Sequence, residues 1–207
     1  MAELRLMDRP EDYARLGVNP EKIEIWEDGR RNLNTVSNNW EWWYSDFIFD
    51  DGSTAVVQFL TKEGRDIGRK GDHPTVHIRI KLADGTELSD SPMFKVSNTH
   101  YSQQQCDVTM GDNYFKGDLY EYHIRAVSKK GFGVDLKLTS QSKPYRPGSA
   151  YFELGCPENF YTWFCAVPKG EVSGTMTYNG QPHTVQGSGY HDHQWGRDPS
   201  VLSADAI

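Results

Sequence analysis

The sequence predicts an all-β fold, an antiparallel barrel, and three observations carry that prediction. From Trp40 onward, apolar and polar residues alternate with the period of two that a half-buried strand requires. Gly-containing turn signals separate the alternating runs at roughly 8–12-residue spacing, as in barrels and sandwiches. No long segment has the helical period and no internal repeat is evident, which disfavours propellers and solenoids. The 207 residues fit a single domain, since all-β domains commonly run to about 200 residues.

Residues 1–35 read as an N-terminal arm without strands, because Pro10, Pro20 and scattered charges interrupt any alternation. A short helix is expected near 11–16. The barrel is expected over 36–197 and a tail over 198–207. In the first strand Trp42, Tyr44, Asp46 and Ile48 share one face, and Glu41, Trp43, Ser45, Phe47 and Phe49 the other. Asp50-Asp51-Gly52 turns it into a hairpin with 53–61. Val76, Ile78, Ile80 and Leu82 then oppose His77, Arg79 and Lys81, before the turn at Ala83-Asp84-Gly85. Between 90 and 113 the pattern weakens, with short strands expected at 93–96 and 106–110. Strands at 119–127 and 133–140 pair around Lys129-Lys130-Gly131. Pro144 and Pro147 make 143–148 a loop, because proline cannot donate to a central ladder. Three strands follow at 160–167, 171–178 and 183–190, turned by Pro168-Lys169-Gly170 and Asn179-Gly180. That gives roughly nine or ten strands. A barrel is preferred to a sandwich because the strands at 40–49 and 160–167 look apolar on both faces. One face would line an interior cavity, and the other would need cover from a loop, an arm or a partner. A barrel of about eight to ten strands has room for a ligand.

Composition narrows the function. The net charge of -7 and pI near 5.5 argue against nucleic acid or an anionic membrane surface as partner. No run of about 18 apolar residues is present, so no membrane span is expected. The charged N-terminus lacks the apolar stretch of a signal peptide, and Cys106, Cys156 and Cys165 form no disulfide framework. A cytoplasmic, reducing location is expected. Aromatic residues make up 13% of the chain, six of them Trp, although mean hydropathy is only -0.70. Large aromatics concentrated inward by alternation fill barrels and line apolar pockets.

Two clusters are candidates for chemistry. The first is Trp40-Glu41-Trp42-Trp43-Tyr44-Ser45-Asp46, in which Glu41 and Asp46 lie on opposite faces of an apolar strand. One of them must face inward or into an interface, where burial raises a carboxyl pKa and keeps it protonated. The second is Gly187 to Gly196, GSGYHDHQWG, with His191 and His193 on one side of a strand and Asp192 and Gln194 on the other. Three readings of it stand: a metal site, for which a third ligand is not evident; a hydrogen-bonded clasp across the barrel mouth; and acid–base work on a bound ligand. A G-x-S-x-G elbow, a P-loop and a dinucleotide fingerprint are all missing, which sets aside those hydrolases and nucleotide enzymes.

Glu41-Trp42-Trp43-Tyr44 with its Asp-Gly hairpin, Trp163 to Pro168 (WFCAVP), Gly174-Thr175-Met176 and GSGYHDHQWG together resemble the AttH-like, or carotenoid 1,2-hydratase-like, lipocalin-related family. The resemblance runs from about residue 38 to 197 and implies a lipocalin-like (calycin-type) barrel. Members of that family include hydratases of isoprenoid double bonds and of prenylated phenolics, and natural-product cyclases, Diels–Alder cyclases among them. They usually carry two barrel-like domains, and this sequence resembles the first. A homo-oligomer, a second barrel chain or a second domain is therefore expected as partner.

The expected function is binding of a bulky, hydrophobic, unsaturated small molecule, a terpenoid or polyene polyketide. Its hydration, cyclisation or isomerisation would need no cofactor and no metal. The acids expected are Asp192 and Asp46, with Glu41 behind them, and His191 and His193 would orient or recharge the acid. Trp42, Trp43, Tyr44, Trp163, Tyr190 and Trp195 would wall the pocket and face a developing cation. A pericyclic cyclase would need only the shaped pocket. The alternatives are a non-catalytic carrier of an apolar metabolite and an interaction protein whose barrel never opens.

Overall fold

A computed structural model describes residues 4–33 and 38–197. The expected tail at 198–207 lies outside the described residues. The elements run β1 (Leu4–Leu6), α1 (Pro10–Leu16), a 3₁₀ turn (Ile25–Asp28), β2 (Trp40–Phe49), β3 (Thr54–Leu60), β4 (Thr75–Lys81) and β5 (Glu87–Asp90). After these come β6 (Thr99–Tyr101), β7 (Cys106–Met110), β8 (Asn113–Gly117), β9 (Glu121–Val127) and β10 (Gly133–Ser140). The last four strands are β11 (Tyr151–Leu154), β12 (Phe160–Thr162), β13 (Phe164–Tyr178) and β14 (Gln181–Gly196).

Eleven of the strands form a curled antiparallel sheet in the order β5-β4-β3-β2-β14-β13-β10-β9-β8-β7-β6. A small annex of β1, β11 and β12 joins it through β14. The chain winds outward from β2 to β5, restarts at the far edge with β6, and works back until β13 and β14 fill the gap beside β2. Alternation explains the faces. Val76, Ile78 and Ile80 of β4 are buried while Arg79 and Lys81 are exposed. Val134, Leu136 and Leu138 of β10 likewise point in, and Asp135 and Lys137 out. Each fully buried side chain of this size is worth roughly 1.5–3 kcal/mol.

Several details differ from the sequence expectation. The arm does contain a strand, because Leu4–Leu6 pairs with Leu154 to Phe152. Its helix is as expected and stops at Gly17, which adopts φ 68° and returns its N–H to Tyr13 O. No strand forms at 93–96; Met93 makes one isolated bridge to Thr75, and a 3₁₀ turn starts at Val96. Pro168-Lys169-Gly170 is not a turn. β13 passes straight through it, with register slips on both sides of Val167, and a bulge is where a strand tolerates a residue without an N–H. Asn179-Gly180 is the turn expected, with φ 51° and 71°, the left-handed pair that a two-residue hairpin needs.

The open lumen expected from the aromatic content is not there. The inner faces meet in one continuous core in which Trp43, Phe47, Phe59, Phe115, Tyr122 and Phe164 are at most 1% exposed. Phe115 packs edge-on against both Phe59 and Tyr122. The aromatics fill the barrel instead of lining a hole in it.

Candidate functional site

The two sequence clusters are neighbours in space. β2 and β14 pair antiparallel, with Trp43 opposite His193, Tyr44 opposite Asp192, and Asp46 opposite Tyr190. The strand period then divides the expected residues between two faces of the sheet. Glu41, Trp43, His191, His193 and Trp195 point inward, and Trp42, Tyr44, Asp46, Tyr190 and Asp192 point outward.

Inside, the histidines meet a carboxylate from the arm. Asp28, at the end of the 3₁₀ turn, is 1% exposed. Its Oδ2 accepts from Tyr122 Oη at 2.5 Å and from His191 Nε2 at 3.2 Å. His191 Nδ1 donates to Tyr44 O at 2.8 Å. His193 Nε2 donates to Glu41 Oε1 at 2.8 Å, and its Nδ1 stands 3.4 Å from Asp28 Oδ1. Glu41 also accepts the backbone N–H groups of Arg31 and Asn32 at 2.7 and 2.8 Å. Trp43 Nε1 donates to Asp28 O at 3.0 Å. Burial alone would raise the Asp28 pKa, but His191 and His193 outweigh it and hold the carboxyl below its usual range. His193 shows the converse: burial pulls it down, while Asp28 and Glu41 bring it above the usual imidazole value. The network ties arm to barrel and is sealed from solvent, so it positions and holds.

Asp28, Cys106 and His191 place ligand atoms within 4.8 Å of one another, the best metal geometry among the described residues. Its donors suit an ion poorly. Asp28 Oδ2 and both nitrogens of His191 are already hydrogen-bonded. The Cys106 thiol is pushed well above its normal pKa by burial and by Asp28, so it stays protonated.

The outer face carries groups suited to proton transfer. Tyr44 and Asp46 on β2 and Tyr190 and Asp192 on β14 form a checkerboard of two phenols and two carboxyls, each carboxyl across from a phenol. Asp192 is 6% exposed. Its Oδ2 accepts from Tyr190 Oη at 2.7 Å and from Trp163 Nε1 at 3.3 Å, and Gln194 Nε2 reaches Oδ1 at 3.3 Å. Burial raises its pKa, against the hydrogen bonds from Tyr190, Gln194 and Trp163. Asp46 is raised by burial too, opposed by Tyr44. The Tyr44 phenol is pushed up to about 12 by burial and by Asp46, so it remains a hydroxyl. Trp42 stacks on Trp40 at 4.4 Å and Tyr145 packs edge-on against Trp163 at 6.0 Å, giving aromatic borders. Ile48 and Tyr145 are exposed, at 61% and 51%.

His191 and His193 therefore do not hydrogen-bond to Asp192; the sheet separates them from it. Trp43 and Trp195, expected in a pocket wall, are core residues that sandwich His193 at 4.6 Å each. Asp28 and Tyr122 escaped the sequence reading. The available signal was chemical: two inward histidines on an apolar strand require a carboxylate from elsewhere.

The sequence matches no family model and no curated relative. Solved structures do resemble it. A candidate AttH from Nitrosomonas europaea superposes with TM-score 0.60 at 17% identity, over 77% of this chain and 52% of that one. Kievitone hydratase from Nectria haematococca gives 0.57 at 14% identity, over 86% and 52%. CghA, solved with Sch210972, gives 0.53 at 17% identity, over 81% and 51%. The fold is thus that of the lipocalin-like barrels, and its structural neighbours are those to which the EWWY and HDHQWG segments pointed. The chain spans about half the length of each.

Proposed function

We propose that the chain acts on a bulky, hydrophobic, unsaturated small molecule, a terpenoid or polyene, at the outer face of β2 and β14. Asp192 is the proton donor in a hydration, cyclisation or isomerisation that uses no cofactor. The observation that carries this reading is the Asp192 carboxyl, buried beside Tyr190, Trp163 and Tyr44, where burial raises its pKa above the usual carboxylate value. Tyr190 and Trp163 both donate to Oδ2, so Oδ1 is left to hold the proton, facing only a long contact from Gln194. An alkene laid on this face takes that proton with its π electrons. The carbocation formed meets the aromatic faces of Trp163 and Tyr44, and the Asp192 carboxylate left behind stabilises it. In a hydration, water attacks the cation and its surplus proton returns to Asp192 or passes to Asp46. In an isomerisation or cyclisation, a neighbouring C–H bond gives the proton back.

The packed interior argues against a carrier that holds its ligand in the lumen. The hydratase among the structural neighbours supports the reaction class.

The test combines binding with isotope uptake. Quenching of tryptophan fluorescence reports binding of farnesol, a prenylated phenol or a polyene. Mass spectrometry after incubation in D₂O reports deuterium placed on carbon. Asp192→Asn is expected to keep the quenching and to lower deuterium uptake by about 100-fold or more, the usual worth of a general acid. Undiminished uptake in the Asp192→Asn, Asp46→Asn double variant would sink the mechanism.

A further inference from the structure

We propose that the cleft between the N-terminal arm and the inner end of β14 is a second binding site, one that takes a small, flat aromatic carboxylate. It lies apart from the outer face, because Trp195 reaches it from the side of β14 opposite Asp192. Its volume is about 210 Å³, below the roughly 300–1,000 Å³ of pockets for drug-sized ligands. A single ring with a short acid arm suits that size.

The walls mix aromatic and polar groups: Trp26 and Glu27 from the 3₁₀ turn, Leu16 at the end of α1, Tyr151 of β11, and Trp195. Two hydrogen-bond donors border them. One is Arg31, whose Nε donates to Gly29 O at 2.8 Å and whose Nη2 donates to Gln103 O. Both acceptors are neutral backbone carbonyls. Its neighbour Arg30 is clamped by both oxygens of Asp72 at 3.0 and 2.8 Å, and Arg146 is paired with Glu27 at 2.7 Å. Among the described residues no carboxylate lies within ion-pair distance of Arg31. Burial draws its pKa down, and Glu41, the largest opposing influence, touches only the Arg31 backbone N–H and not the guanidinium.

The second donor is Ser149. It is 1% exposed, lines the cleft, and its Oγ has no hydrogen-bond partner among the described residues. A buried hydroxyl left this way costs about 1–3 kcal/mol unless something bonds to it. The carboxylates nearby are already committed. Glu27 accepts Arg146 through Oε2 and the Glu24 N–H through Oε1, and Glu41 accepts two backbone N–H groups and His193. A guanidinium stacked on Trp26 that has no carboxylate partner and keeps N–H groups beyond the two bonded to carbonyls, and a hydroxyl without a partner, select a head group that only accepts. A carboxylate does so with charge, and the indole and phenol walls select a ring.

Calorimetric titration of the purified full chain with benzoate and phenylacetate tests the site, with benzyl alcohol as the neutral counterpart. Both carboxylates are expected to bind, and benzyl alcohol at least about tenfold more weakly. Arg31→Met is expected to weaken benzoate by about tenfold or more. Ser149→Ala is expected to weaken it by several-fold while raising the Tm of the ligand-free chain. Indole N–H resonances of Trp26 and Trp195 should shift on benzoate addition, with Trp163 on the outer face still. Absence of binding, equal binding of benzyl alcohol, or shifts confined to Trp163 would each overturn the proposal. Should Arg31→Met fail to fold, Leu16→Trp, which fills the cleft, serves instead; benzoate binding that survives both Leu16→Trp and Ser149→Ala is equally fatal.

Discussion

Asp28 and Asp192 are both almost fully buried, yet the pKa of one is held below the usual carboxylate value and that of the other above it. The difference lies in their neighbours. Asp28 faces His191 and His193 at 3.2 and 3.4 Å, and the two together outweigh its desolvation. Asp192 accepts hydrogen bonds only from neutral donors, Tyr190, Gln194 and Trp163, which together with the more distant His191 soften the cost of burial without cancelling it. This sets a pH dependence. The raised His193 contributes stability that is complete below the unfolded imidazole value of about 6.5 and is lost as pH rises through its folded value. The depressed Asp28 contributes stability that is present above about 3.9 and is lost as pH falls toward its folded value. Tm is therefore expected to decline from about pH 6.5 upward, and His193→Gln should flatten that limb relative to the parent. Asp28→Ala leaves His191, His193 and Tyr122 without their common partner. It should cost about 3–5 kcal/mol in urea unfolding at neutral pH; a loss under 1 kcal/mol would mean that the network is not what holds the arm.

At the level of elements, the two longest strands, β13 and β14, depend on small residues where they cross their neighbours. A Cβ on Gly187 would stand 2.1 Å from Ile48 O, a backbone atom that cannot step aside. Gly187→Ala is expected to force β14 away from β2 at a cost of about 1–3 kcal/mol, seen as a lower urea midpoint at unchanged slope. How much of this was legible follows from pattern length. β2, β4, β9 and β10 are long enough for alternation to declare their faces, and the opposed faces of Glu41 and Asp46, and of His191 and Asp192, were readable for the same reason. β5, β6, β8 and β11 have three to five residues and mixed polarity, too few to establish a period. Pro168 looked like a turn because a bulge and a turn share composition; only pairing with β14 tells them apart. Asp28 was invisible because its partners lie 94 and 163 residues away, and nothing local in Trp26-Glu27-Asp28-Gly29 anticipates them. Which aromatics fill the core and which border the outer face is likewise decided by how far the sheet curls.

For the molecule as a whole, the outer face of β2 and β14 is the feature that most invites a partner. It combines a buried acid whose pKa burial raises with aromatic borders at Trp42 and Trp163, on a chain that spans about half the length of its structural neighbours. The sheet order also has a temporal meaning. β2 sits at the centre of the sheet, but one of its two neighbours, β14, is the last strand in the described chain, so Phe49 must wait for Gly187 and Trp40 for Gly196. Contacts of such long sequence separation slow folding, because the loop between them must close before the pairing rewards it. While the chain is being synthesised, WEWWY is an apolar strand with one open edge, the kind that invites aggregation. A chain ended after Tyr178 should therefore be recovered as aggregate with no cooperative unfolding transition. The full chain should refold in a slow phase of milliseconds to about a second, and a chaperone that shields the N-terminal third until synthesis ends should raise the soluble yield.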